Sequence, residues 1–191
     1  MNGVEQLLAG VPQNGNTLGN PNAPVTLTYY GDFECPVCQA FTLGSFPQLV
    51  QNEVRNGKVK VVYKAFQTAT RDPAAFADQQ AAALAAGQQN KFWNFAELFY
   101  HEQGQEGTSY MTESYLDGLA KQIPGLNYSA WKSARSNQSL TAQVQSQVNS
   151  GNTIGVTGTP TLIFSGPKGQ AQPTDAVPAY SELQQDIQKV A

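Results

Sequence analysis

"YGDFECPVC" occupies Tyr30–Cys38, and its reading decides how the rest of the chain is laid out. It holds both cysteines of the 191-residue sequence, Cys35 and Cys38, with Pro36 and Val37 between them. Directly upstream, "VTLTYY" (Val25–Tyr30) is β-branched and aromatic and predicts a strand. Directly downstream, "QAFTLGSFPQLVQNEV" sets Phe41, Phe46, Leu49 and Val50 on helical spacing, with a break expected at Gly44 and Pro47. "KVKVVYKAF" (Lys58–Phe66) predicts the next strand. Strand, helix and strand at this spacing form a βαβ unit, so the two strands are expected to be parallel.

Two cysteines so close together admit three readings. A disulfide across so short a loop stabilises little by the loop-entropy argument. A closed zinc site needs four ligands, and Cys35, Cys38 and His101 are the only cysteines and histidine in the chain. A redox pair needs its first cysteine at a helix N-terminus, where free N–H groups and the helix dipole favour a thiolate. The sequence supplies that setting: a strand, the link "GDFE", then Cys35 opening a helix, with Pro36 where a first-turn proline is tolerated. Cys38 lies one turn on and can resolve a mixed disulfide. The redox reading is preferred, and it requires no cofactor beyond the cysteine pair and no metal.

The remaining chain is organised around this unit. Residues 1–24 are rich in Gly, Asn and Pro and read as an irregular arm with one short strand. From Asp72-Pro73, a plausible cap and first turn, only helical patterns follow. "KFWNFAELFYHEQ" carries Phe92, Trp93, Phe95 and Phe99 as a core stripe, and "TESYLDGLAKQI" starts at a Thr112 cap. "SAWKSARSNQSLTAQVQSQVNS" puts Trp131, Ala134, Leu140, Val144 and Val148 near one face. Strands return at "TPTLIF" (Thr159–Phe164), a hairpin turn follows at "SGPKGQ", and "PAYSELQQDIQKV" closes the chain as a helix. The division expected is 1–71, 72–152 for an inserted helical domain, and 153–191. The fold class is α/β.

Charged residues are 13% of the chain, against about a quarter in an average domain. A net charge of -3 excludes the basic footprint of a nucleic-acid binder, and no apolar run is long enough to span a bilayer. No signal peptide is visible, and Met1-Asn2-Gly3 reads as an artificial start from which a signal or anchor has been removed.

"YGDFECPVC" after a strand, "KFWNFAELFY" within a helical insertion and "GVTGTPTLIF" near the end together resemble the thioredoxin superfamily, most closely the DsbA-like disulfide oxidoreductases of the bacterial cell envelope. The resemblance covers about residues 17–191. It implies a thioredoxin fold with an inserted α-helical domain, and catalysis by Cys35 and Cys38. It implies a cis peptide bond before Pro160, with Thr159 offering backbone contact to an extended substrate. It also implies protein or peptide thiols as substrates, oxidation as the direction, an extracytoplasmic location and a membrane partner that reoxidises the pair. A reductase or isomerase of the same fold, and a peptide-binding module without catalysis, remain as alternatives.

Two departures stand out. Relatives carry a buried carboxylate on the strand where this chain has Tyr29. Proton transfer must then use water, Asp32 or Glu34, or be slower; Asp32 and Glu34 otherwise read as polar residues of an exposed loop, Glu34 raising the Cys35 pKa by repulsion. Val37 stands where a histidine would add a donor, so Cys35 is expected in the upper half of the range of roughly 3.5 to 7 spanned by such motifs. His101 reads as a helix-end surface residue. Asn127-Tyr128-Ser129 and Asn137-Gln138-Ser139 match the glycosylation pattern, a match common by chance.

Overall fold

The computed structural model describes residues 2–191. Strands β1 (Gln13–Asn14), β2 (Thr17–Leu18), β3 (Val25–Gly31), β4 (Val59–Ala65), β5 (Thr161–Gly166) and β6 (Gly169–Ala171) form one sheet in the order β1-β2-β4-β3-β5-β6. β3 and β4 are parallel, from Val25 opposite Val59 to Gly31 opposite Ala65, as a βαβ unit requires. β2 pairs with β4, and β5 with β3 and β6, all antiparallel.

Alternation on β4 buries Val59, Val61, Tyr63 and Ala65 and leaves Lys60, Val62 and Lys64 partly open. β3 is buried along most of its length, because both faces of the sheet are covered. On one face Leu27 and Tyr29 enter the main core, and on the other Tyr30 packs with Phe66, Val156 and Ile163. Two glycines make these approaches possible. A Cβ on Gly31 would lie 2.7 Å from the Tyr63 ring, and one on Gly151 would lie 2.6 Å from Phe66.

The helices are α1 (Asn2–Leu8), α2 (Pro36–Leu43), α3 (Phe46–Leu49), α4 (Pro73–Gly87), α5 (Phe92–His101), α6 (Glu113–Gln122), α7 (Tyr128–Arg135), α8 (Gln138–Thr153) and α9 (Tyr180–Val190). The expected break falls between α2 and α3, and a π turn at Val50–Val54 continues the path. Asp72 and Thr112 cap α4 and α6 as expected. α4 through α8 lie between β4 and β5 in the chain, which is the helical insertion. The α5 stripe of Phe92, Trp93, Phe95 and Phe99 is fully inside.

Three expectations are corrected. The N-terminal arm is regular: Val4, Leu7 and Leu8 bury one face of α1, and Arg55 donates to the carbonyls of Ala9 (2.6 Å) and Leu7 (2.9 Å). Gly10, Gly15, Asn16 and Asn22 sit in turns, while β1 and β2 extend the sheet. The long pattern around Trp131 and Val144 is two helices. Asn137 breaks it because its side chain accepts from the Ser139 N–H and caps α8, just as Asn127 caps α7 through Ala130. Both asparagines of the glycosylation pattern are therefore helix caps. Finally, the strand expected from Thr159 begins at Thr161, since Thr159-Pro160 forms a loop with a cis bond.

Candidate active site

Cys35 is the N-cap of α2, with extended backbone (φ -74, ψ 117) and Pro36 in the first turn. Its sulfur accepts from the Cys38 N–H at 3.4 Å and, as a thiol, donates to the Thr159 carbonyl at 3.4 Å. Both cysteines are free. They differ in access: Cys35 retains 5% of its surface and Cys38 none. Val37 is 37% exposed beside them, and Pro160 is buried. The chain thus brings Cys35, Pro36, Val37, Cys38, Thr159 and Pro160 to one end of the sheet.

The two thiols have opposite electrostatics. Cys35 is lowered from 9.0 to about 6, chiefly by a hydrogen bond from the Cys38 side chain. Burial opposes this, and the Thr159 side chain with the N–H groups of Cys38 and Val37 adds to it. The value falls in the upper half of the expected range. Cys38 is pushed far above its ordinary value by burial, by its hydrogen bond to Cys35 and by repulsion from that sulfur. Glu34 does not appear among the causes that set Cys35.

Asp32 and Glu34 do not lie in an exposed loop. Asp32 is fully buried and Glu34 is 7% exposed. The Asp32 carboxylate accepts from the N–H groups of Glu34, Thr68, Ala69 and Thr70, at 2.9 to 3.1 Å, and from the Thr70 hydroxyl. It folds the loop after β4 onto the link before α2. Thr68 in turn shares a hydroxyl hydrogen bond with Thr159. A polar clasp therefore runs from Asp32 through Thr68 to the proline loop facing Cys35. Glu34 is raised by burial and by the nearby charges of Asp32 and Glu106.

Tyr29 lies under α2. Its hydroxyl is 3.4 Å from the Cys38 carbonyl, 3.1 Å from the Thr42 hydroxyl and 3.3 Å from the Tyr100 hydroxyl. Tyr100 donates to the Asp32 carbonyl at 3.3 Å. Burial pushes Tyr29, Tyr63 and Tyr100 all upward, so they are neutral hydrogen-bonding groups. Gln103 donates to the carbonyls of Phe33 (2.6 Å) and Cys35 (3.2 Å). Thr68, Thr70, Tyr100 and Gln103 were not singled out from the sequence. Tyr100 follows the aromatic stripe and so had a signal, whereas the two threonines and Gln103 are neutral polar residues indistinguishable from loop composition. His101 is at the exposed end of α5, as expected.

Comparison with known proteins agrees with this geometry. A family model described as "Thioredoxin" matches residues 12–184. The "Probable disulfide bond formation protein D" of Bacillus anthracis is 26% identical over 154 residues, 78% of this chain and 69% of that protein. The chain therefore spans about two thirds of that relative's length. The crystal structure of oxidised BdbD from Bacillus subtilis superimposes with a TM-score of 0.79 at 21% identity, covering 94% of this chain and 96% of that one. That of Wolbachia pipientis alpha-DsbA1 gives 0.75 at 16% identity over 98% and 94%. With a C-x-x-C pair capping the helix after the first long strand, a cis-proline loop opposite and this family match over most of its length, the chain belongs to the DsbA-like thiol–disulfide oxidoreductases of the thioredoxin superfamily.

Proposed function

We propose that the chain oxidises thiol pairs in exported proteins, using a Cys35–Cys38 disulfide as the oxidant. A substrate thiolate attacks the Cys35 sulfur, the Cys35–Cys38 bond breaks, and its electron pair leaves on Cys38, which takes up a proton. A second substrate thiolate then attacks the substrate sulfur of the mixed disulfide and releases Cys35 as a thiolate. Two electrons pass from the substrate to the cysteine pair. A membrane redox partner in the cell envelope restores the disulfide. Thr159 and Pro160 form the platform on which an extended substrate lies.

The observation that carries this reading is the asymmetry of the pair. Cys35, held near 6, is a good leaving group, and the lower the pKa of the leaving thiol the faster it departs. Cys38, buried and raised, holds its proton once reduced. The lowered Cys35 stabilises the reduced protein and so makes the oxidised one a stronger oxidant, while the protonated Cys38 serves as the donor to the Cys35 thiolate. Of the candidates for the Cys38 proton, Asp32 has its oxygens committed to the clasp, and Glu34 has the freer carboxyl. The membrane partner must reach the Cys35 sulfur to restore the disulfide, and among the described residues no helix is long and apolar enough to cross a membrane.

The test is to compare two reactions of the oxidised and reduced protein. The oxidised form should restore activity to a reduced, unfolded disulfide protein faster than the reduced form cleaves insulin disulfides. The potential against glutathione should be more oxidising than thioredoxin's roughly -270 mV. A more reducing potential with rapid insulin cleavage would assign a reductase instead.

A further inference from the structure

Away from the cysteines, a cleft of about 240 Å³ opens between α1, α2, α3, the π turn and α5. Glu97 of α5 lines it. This residue is 1% exposed, and its Oε1 is buried with no hydrogen-bond partner among the described residues. No ion pair to Glu97 is present among them either. Every other residue of α5 from Phe92 to Tyr100 is buried as core or, like Asn94, is hydrogen-bonded. A buried carboxyl without a partner is costly, and native proteins rarely keep one without a use.

We propose that this cleft binds an alkylammonium group, with the Glu97 carboxylate as its counter-ion. The walls are Leu7, Leu43 and Pro47, and Leu43 is 36% exposed at the end of α2. They cover a methylene stem. Gln6 and Gln51 stand at the exposed rim, where their amide oxygens accept from the ammonium hydrogens. A divalent metal fits worse. Calcium takes six to eight oxygens, and among the described residues no three His, Cys, Asp or Glu side chains converge anywhere.

The charge balance of the cleft is simple. α1 brings Gln6 and Leu7, α2 Leu43, α3 Pro47 and the π turn Gln51, so Glu97 and His101, both on α5, are its titratable groups. Glu5, also on α1, is engaged by Asn94 at 2.8 Å and does not line the cleft. Burial alone raises Glu97 from 4.5 to about 8. A bound ammonium must displace that proton. Binding is therefore fully developed above pH 8 and weakens as pH falls, by about tenfold per unit below it.

The probe is n-butylammonium chloride, titrated into the whole protein by calorimetry at pH 9, 7 and 6, with n-butanol as the uncharged control. The amine stays charged throughout, since such groups titrate near 10.4. Saturable binding at pH 9, weaker by about tenfold at pH 7 with proton release, and none for butanol is the expected result. Glu97→Gln, isosteric and uncharged, should abolish it and leave the thermal midpoint equal or higher. Gln51→Lys, which carries an ammonium to the rim within the chain, should block the added amine and raise the midpoint at pH 9 only while Glu97 is present. Equal binding of butanol, no dependence on pH, or unchanged binding in Glu97→Gln would each overturn the proposal. A parallel titration with a lysine-containing peptide separates the sources. Tighter binding of the peptide than of butylammonium assigns a lysine side chain of a partner, and the reverse assigns a free amine.

Discussion

Cys38→Ala removes the largest cause of the Cys35 thiolate, the hydrogen bond from the second thiol. A hydrogen bond to a charged group is worth about 1.5 to 3 kcal/mol, and 1.36 kcal/mol corresponds to one pKa unit. The Cys35 pKa should therefore rise by about one to two units in Cys38→Ala. It should stay below 9.0, since the N–H of residue 38 still points at the sulfur from 3.4 Å. Cys38→Ser replaces S–H by O–H, keeps a donor and should leave the value near 6. The consequence for stability follows by linkage. A group depressed on folding stabilises the native state fully above its unfolded pKa, and that contribution is lost as pH falls through the folded one. With 9.0 falling to about 6, the limit is about 4 kcal/mol, discounted by roughly half for water reaching the sulfur at the rim of the site. At pH 7 about 1.4 kcal/mol of the undiscounted limit is realised, so roughly 0.7 kcal/mol after the same discount, or about 15 mV in the potential of the pair. In Cys38→Ala it should drop to a few tenths. Ultraviolet titration of the thiolate in the two variants measures the difference. Identical pKa values in Cys38→Ala and Cys38→Ser would refute the claim that the second thiol supports the first.

Three further outcomes are expected. Cys38→Ser should accumulate mixed disulfides with thiol substrates on non-reducing gels and Cys35→Ser should not, because only the buried sulfur releases the complex from within; equal trapping by both would reverse their roles. Asp32→Asn turns one of two acceptor oxygens into a donor facing the N–H groups of the clasp, so the protein should lose about 2 to 4 kcal/mol in denaturant unfolding; a loss under about 0.5 kcal/mol, the scale of ordinary surface changes, would mean the clasp is dispensable. Val37→His adds a donor beside the Cys35 sulfur and should lower its pKa below 6 and make the potential more oxidising, whereas an unchanged titration would place that side chain away from the sulfur.

The cysteine pair at a helix start, the strand–helix–strand unit and the run of helices after it were legible in the sequence alone, whereas the cis loop before Pro160 came only with the family resemblance, the local pattern having carried the strand to Thr159. The elements themselves are local events, and the parallel pairing of the two strands, Val25 opposite Val59, follows from the general rule for βαβ connections. A strand pattern, a first-turn proline and a cap residue act within one or two turns of chain, so spacing along the sequence is spacing in space. Tertiary structure decided the rest. Asp32 looked like loop composition because its donors lie at residues 68, 69 and 70, some 36 to 38 positions away. Tyr29 could be assigned to the strand, but not to a hydroxyl cluster with Tyr100, 71 residues on. The arm of residues 1–24 looked irregular because α1 is too short to be stable by itself and exists through packing on α5 and the hold of Arg55. Glu97 sat in an aromatic stripe that already marked its helix as core, yet only the packed fold shows that its carboxyl was buried without a partner. Burial depends on what the rest of the chain brings to a position, and a residue's neighbours in sequence do not carry that information.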